Sequence, residues 1–214
     1  MASLRRCAPY LCVVQMEKVM TNEHNQVLIS AASFFKETSR KLLTVDGKLH
    51  AETLILSLAR MAGSLMYRSF GFDEAIEPGT TVLSDRANIH GPRLMNVMFS
   101  TLNQLGDKVG EENLNREWAS PKFSQLTFKE CHERLAPFFI KYCEVAPINF
   151  YDAAIGAAIA VAITVHDCRE VLSVDKGGAI AVYGFIEGTK TAPFPLSVPG
   201  ILHPQSQNTR KSLD

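Results

Sequence analysis

Apolar and small residues fill the stretch from Phe150 to Cys168, so a helix there would have no face suited to water. No charged residue occurs between Ala153 and Val165. A helix without a polar side is typical of a protein interior or of a membrane span. The uncharged run is shorter than the roughly 20 residues needed to cross a bilayer, and Asp152 and Asp167 bracket it. The pattern therefore predicts a buried central helix and no membrane association.

Small residues recur at spacings of four, three and four in this segment and again further along the chain. The two stripes are Ala153, Ala157, Ala160 and Thr164, and Gly177, Ala181, Gly184 and Gly188. Stripes of this kind allow two helices to bring their backbones close together. We therefore expect the two segments to form an antiparallel helix pair joined by a polar turn at residues 173–176. The alternative is an α+β fold with a short buried strand near residues 179–186, where several residue types favour strands.

Apolar residues recur at helical spacing in four further segments, which cover approximately residues 23–43, 47–70, 92–105 and 127–146. Local signals mark their ends. Gly71 and Gly106 suit left-handed C-terminal caps, and Pro92 suits a first helical turn. The run Thr127-Phe-Lys-Glu130 is a capping box. Together with the central pair, these segments predict an all-α bundle of about six helices.

The second of these segments has an apolar stripe and a polar face. Arg60, Ser64 and Arg68 mark the polar face. Gly63 lies beside Ala59 and Ala62, and small residues in such a cluster allow a close approach between helices. We expect that contact to involve another helix of the same chain or a second copy of the chain.

Residues 72–91 have no helical period, apart from a short strand-like run at residues 80–83, and they predict a long loop. Loops of this length inside compact domains tend to be functional or disordered. Polar side chains beside a helix N-terminus can hold a carboxylate or a phosphate. The candidate ligand-binding residues are therefore those in the loop and one turn into the next helix: Asp85, Arg86, Asn88, His90 and Arg93.

Two interpretations of these five residues are open. In the functional one, His90 acts as a general base oriented by Asp85. Arg86, His90 and Arg93 then face one pocket that Arg60 or Arg68 also lines. In the structural interpretation, Asp85 pairs with Arg86 within an ordered loop, and His90 lies beside a helix cap without a functional role.

Composition narrows the classes of function. The 22 basic and 22 acidic residues cancel, and no basic cluster occurs, which argues against nucleic-acid binding. The five cysteines are scattered without a Cys-x-x-Cys pair, which is typical of reduced thiols in a cytoplasmic protein. His166 and Glu170 share a helix face but are too few ligands for a metal. No phosphate-binding loop, dinucleotide fingerprint or Gly-x-Ser-x-Gly motif is present, so we expect neither a metal nor a cofactor.

The sequence divides into three parts. Residues 1–19 predict a mobile N-terminal arm, or a chain that truly starts at Met20. Residues 20–204 form one helical domain, and residues 205–214 form a disordered tail. We expect a protein that works through self-association, as a homo-oligomer such as a dimer, or through a protein partner. The alternative is a small-anion or metabolite binder, or an enzyme, with the 72–91 loop over the start of helix three. The pattern leaves open whether the protein is an enzyme.

Overall fold

The computed structural model describes the backbone of residues 9–44, 47–72 and 76–196, and the side chains within those ranges from Asn22 onward. These residues form six α-helices: α1 Pro9–Leu43, α2 Ala51–Ser69, α3 Asp85–Gln104, α4 Phe128–Val145, α5 Phe150–Asp167 and α6 Val174–Lys190. Three short 3₁₀ turns lie between α3 and α4, at Glu111–Asn113, Arg116–Trp118 and Pro121–Phe123. The prediction of an all-α fold is confirmed. The alternative strand is excluded because residues 179–186 belong to α6.

Local capping signals set several helix ends where the sequence predicts them. The Thr127 hydroxyl accepts a hydrogen bond from the Glu130 backbone N–H at 3.2 Å, and the Glu130 carboxylate accepts one from the Thr127 N–H at 2.8 Å. Asn149 caps α5 by accepting from the Asp152 N–H at 2.8 Å. Gly71 and Gly106 follow α2 and α3 with φ of +62° and +97°. Only glycine adopts this left-handed backbone without a steric cost.

The start of α3 differs from the prediction. The helix begins at Asp85 and not at Gly91, because Ser84 caps it by accepting from the Ala87 N–H at 3.1 Å. An acidic residue in the first turn also favours this start. Pro92 therefore lies inside the helix. The strand-like run at residues 80–83 forms a single antiparallel bridge, between Thr81 and Thr191.

Gly184 and Gly188 of α6 pack against α2 and not against α5, so the predicted pairing of the α5 and α6 stripes along their length is wrong. A β-carbon built on Gly184 would lie 2.7 Å from the Ala59 β-carbon, and one on Gly63 would lie 2.7 Å from the Phe185 carbonyl oxygen. Of the α6 stripe, Gly177 faces α5, at Val165. A stripe of small residues shows that a close neighbour exists but does not specify which one. The contact predicted at Gly63 is made within the chain.

Two helices form the centre of the fold. In α2 every residue from Thr53 to Tyr67 is buried, and α5 is buried along most of its length. By length and composition, α5 is the one described helix that could cross a membrane, and 56% of its residues are buried inside the fold. A buried core helix has the same composition as a membrane span.

The predicted division of the chain is only partly covered by the structure. Residues 1–8 of the expected arm lie outside the described residues, while the backbone from Pro9 belongs to α1. The expected tail at residues 205–214 also lies outside them. The division into arm, domain and tail stays a prediction.

Candidate functional site

The polar face of α2 is buried inside the protein. Arg60 and Ser64 are almost completely inaccessible to water, and Arg68 is half-buried. We define this face as Ser57, Arg60, Ser64 and Arg68. It lies beneath α4 and an extended segment at residues 192–196. Because α1, α5 and α6 pack against the other sides of α2, water is excluded from the helix between Thr53 and Tyr67 and reaches it only at the end that carries Arg68. A charged side chain placed here has to find its partners within the protein.

Arg60 has a counter-charge and a second hydrogen-bond acceptor within the protein. Its Nε donates to the Glu187 carboxylate at 2.6 Å, and its Nη1 donates to the Leu126 carbonyl oxygen at 2.8 Å. The Arg60 side chain is 2% exposed and that of Glu187 is 22% exposed. The guanidinium therefore lies inside the core, and the carboxylate lies at its edge. The buried charge of Arg60 is therefore compensated.

Arg68 lacks such compensation. Its Nη2 donates to the Phe194 carbonyl oxygen at 3.3 Å, while its Nε is buried without a hydrogen-bond partner among the described residues. No carboxylate in the described part of the chain forms an ion pair with it. Burial lowers the pKa of Arg68 below its usual value. This is the effect expected for a cation that has lost water without gaining a counter-charge.

Two titratable neighbours of Arg68 among the described residues, Cys143 and His132, are neutral at pH 7. Burial raises the pKa of the Cys143 thiol to about 11. Burial, together with the charges of Arg68 and Arg60, lowers the pKa of His132 to about 3. A protonated thiol and an unprotonated imidazole carry no charge, so neither group balances the guanidinium.

A cavity of about 550 Å³ opens beside Arg68. Its wall is mainly aromatic and apolar, and Arg68 is the only charged residue among the described residues that line it. The aromatic and proline residues that line it are Tyr67, Phe72, Pro78, Phe150, Pro193, Phe194 and Pro195. We refer to this space as the Arg68 cavity. One guanidinium in an apolar wall suits an organic anion, because the cation fixes the acid group and the rings cover the rest of the molecule.

Most of the buried polar atoms without partners lie along the polar face of α2 or on His132. Among the described residues six such side-chain atoms occur, and all except the Ser39 hydroxyl belong to the polar face of α2 or to His132. They are Ser57 Oγ, Ser64 Oγ, Arg68 Nε, His132 Nδ1 and His132 Nε2. Each unpaired buried polar group costs free energy. Such groups are rare enough in native proteins that a cluster of them marks a candidate site.

The residues predicted from the sequence lie elsewhere, on α3. Arg86, His90 and Arg93 share one helix face. Arg86 donates to the Phe70 carbonyl oxygen at the end of α2. The His90 ring lies 6.0 Å from the Tyr151 ring, and the Arg93 guanidinium carbon lies 6.0 Å from the same ring. The structure thus brings His90 and Arg93 together at the start of α5.

The predicted convergence of these side chains with Arg60 or Arg68 is not found. None of the three α3 residues lines the Arg68 cavity, and Arg60 is bound to Glu187 of α6. Asp85 and Asn88 are exposed, and no hydrogen bond or ion pair links the Asp85 side chain to Arg86 or His90 among the described residues. Residues 85–91 are helical, so they do not form a loop over the start of helix three.

Part of the predicted loop does reach the site. Phe72, Ile76 and Pro78 line the Arg68 cavity. The signal for Arg68 itself was present in the sequence, since its spacing of four from Ser64 and eight from Arg60 defines the polar face. The sequence did not show that α4 and residues 192–196 cover this face.

The described residues contain no cluster of three or more histidine, cysteine, aspartate or glutamate side chains that could hold a metal ion. Comparison of the chain with protein-family models, with curated proteins and with solved structures found no match.

Proposed function

We propose that the protein binds a small organic anion in the Arg68 cavity. The single observation that carries the proposal is the Arg68 guanidinium, which has no ionic partner among the described residues and borders an aromatic cavity. A carboxylate would supply the missing counter-charge. Arginine is suited to this role because its planar fork matches the two oxygens of a carboxylate.

The cavity also indicates the size and polarity of the ligand. Its volume of about 550 Å³ lies within the range of roughly 300–1,000 Å³ that is typical of small-molecule sites. One cation favours a single negative charge. The rings of Phe72, Phe150 and Phe194 favour an aromatic or other apolar body. An apolar monocarboxylate therefore fits better than inorganic phosphate, which would leave the rings without a partner.

Self-association, or action through a protein partner, stays a prediction without a structural argument of its own. In the sequence it rests on the absence of a convincing catalytic set and on small-residue helix faces, which allow close packing between chains as well as within one. Gly63, Gly184 and Gly188 direct those faces at each other within one chain. The small-residue faces of α2 and α6 therefore pack against each other and are not free to contact a second chain.

Binding can be tested by titration calorimetry and thermal unfolding with benzoate, phenylacetate, hexanoate and inorganic phosphate. We expect the carboxylates to bind and to raise the stability of the wild type, by roughly 2.7 kcal/mol at a ligand concentration of 100 times Kd. Arg68→Met should lose the binding. Arg93→Met is the matched control, because it removes an exposed arginine from α3 and should bind as the wild type does.

The proposal fails if Arg68→Met, while folded, binds the carboxylates as the wild type does. A loss of binding in Arg93→Met with normal binding in Arg68→Met would instead favour the α3 residues as the site. If no carboxylate binds, the proposed function is rejected.

A further inference from the structure

Phe194 lines both the Arg68 cavity and a second cavity of about 500 Å³. The wall of the second cavity carries polar groups, including Thr127, Tyr183 and Glu187. Because the two cavities share this lining residue, a movement of its side chain changes the shape of both.

His132 lies next to the Phe194 ring. The ring centroids of His132 and Phe194 are 6.1 Å apart, and those of His132 and Phe128 are 4.6 Å apart. His132 is 2% exposed, and neither ring nitrogen has a hydrogen-bond partner in the part of the chain that the structure describes. A neutral imidazole offers one donor and one acceptor. The fold thus holds an unused donor and acceptor beside Phe194.

Phe194 is held by fewer backbone hydrogen bonds than the helices around it. Pro193 and Pro195 flank it, and proline has no N–H to donate. Its carbonyl oxygen accepts from Arg68 at 3.3 Å, and the nearest backbone pairing is that of Ala192 with residues 79 and 80. The ring itself packs over Gly79, where a β-carbon would lie 2.8 Å from it. Displacing Phe194 therefore breaks few polar contacts.

We propose that the ligand carries a hydroxyl or keto group near its carboxylate, and that it displaces the Phe194 ring so that this group binds His132. This inference rests on the proposed function, because Arg68 holds the carboxylate. It makes His132 a specificity-determining residue and defines the ligand class as apolar hydroxy- or oxo-carboxylates. A hydroxyl group matches a neutral imidazole, since each has one donor and an acceptor.

The charge state of His132 supports this choice of ligand group. With its pKa lowered to about 3, the imidazole is neutral at pH 7 and does not attract a second carboxylate. A neutral hydrogen-bonding group is therefore favoured over a second acid group. A ligand without that group would leave both ring nitrogens unpaired.

The test compares acids that differ by one hydroxyl group. Calorimetry measures the binding of phenylacetate against mandelate, and of 3-phenylpropionate against 3-phenyllactate, to the full-length protein. We expect the wild type to bind the hydroxylated member of at least one pair about tenfold more tightly. His132→Phe should bind both members equally, at the affinity of the plain acid. Phe194→Ala should increase the preference for the hydroxylated acid, since no ring has to move before its hydroxyl group reaches His132, while the plain acid loses an apolar contact.

Two further measurements keep the test decisive if His132→Phe does not fold. His132→Gln retains a donor and an acceptor and should keep part of the preference. In the wild type labelled with ¹⁵N at histidine, the His132 ring nitrogens should shift with mandelate and stay unchanged with phenylacetate. Equal binding of both members by the wild type, with both lost in Arg68→Met, would overturn the inference and leave the proposed function intact. Absence of any carboxylate binding would reject both.

Discussion

A β-carbon added to Gly188 would lie 3.0 Å from the Cα atom of Gly63, so the backbones of α6 and α2 are in direct contact at this point. The same β-carbon would also clash with the backbone carbonyl of Arg60. The main obstacle to a larger residue is therefore the backbone of α2, which cannot move aside as a flexible side chain can. The closest helix contact in the core depends on two glycines that lie far apart in the sequence.

Replacing Gly63 or Gly188 by alanine should destabilise the protein strongly. Overpacking a dense core typically costs about 1–3 kcal/mol, and we expect the upper end of this range because the obstructing atoms are backbone. Gly91→Ala in α3 is the matched control, since the nearest atom to its added β-carbon is Thr189 Cγ2 at 3.6 Å. The control should be neutral or stabilising by up to about 1 kcal/mol. Urea denaturation measures the free energy of unfolding of the three variants. Equal losses of stability in all of them would contradict the α2–α6 contact.

The Arg60–Glu187 ion pair should respond differently to the loss of each partner. Glu187→Leu leaves a guanidinium that is 2% exposed without its counter-charge, which should cost roughly 3–5 kcal/mol. Arg60→Met leaves a carboxylate that reaches water and should cost less. The double variant Arg60→Met/Glu187→Leu should be more stable than Glu187→Leu alone. Chemical denaturation tests this order, and additive losses would show that the two side chains are not coupled.

His132 should make the stability of the protein depend on pH. Burial and the charges of Arg68 and Arg60 lower its pKa from the usual 6.5 to about 3. Between these two values the unfolded chain binds more protons at this site than the folded chain, so stability is complete above pH 6.5 and falls as the pH decreases towards 3. Between pH 7 and pH 4.5 the wild type should lose about 2–3 kcal/mol more than His132→Phe.

Denaturation curves of both proteins at the two pH values measure this difference. An NMR titration of the His132 ring in the wild type gives the same information if the variant does not fold. Parallel pH dependence of the two proteins, or a His132 pKa near 6.5, would contradict the buried neutral imidazole.

Thr127→Ala should remove the N-terminal cap of α4. The Thr127 hydroxyl satisfies the Glu130 backbone N–H at 3.2 Å, and losing such a cap costs about 1 kcal/mol. Thr127→Ser retains the hydroxyl group and serves as the control. Thermal unfolding should place the serine variant close to the wild type and the alanine variant below it. A serine variant as unstable as the alanine variant would show that the methyl group, and not the hydroxyl, matters.

Several elements of the fold could be predicted from local sequence alone. The capping box at Thr127, the cap at Asn149 and the glycines that end α2 and α3 act within a few residues of their own helix. Apolar periodicity likewise reports on one helix at a time. The start of α3 was missed because Pro92 is a strong first-turn signal, whereas the cap that is used, Ser84, lies where no helical period was recognised.

The sequence by itself determined which segments are helical, where most of them end and which faces are small or polar. Only the tertiary structure decided that α6 packs on α2, that the polar face of α2 is covered, and that Arg68 has no ionic partner among the described residues. The physical reason is that helical period and capping arise from neighbours along the chain. The choice of helix partner, the burial of a charge and its compensation depend on residues such as Glu187 and Phe194, which approach α2 only when the whole chain is folded.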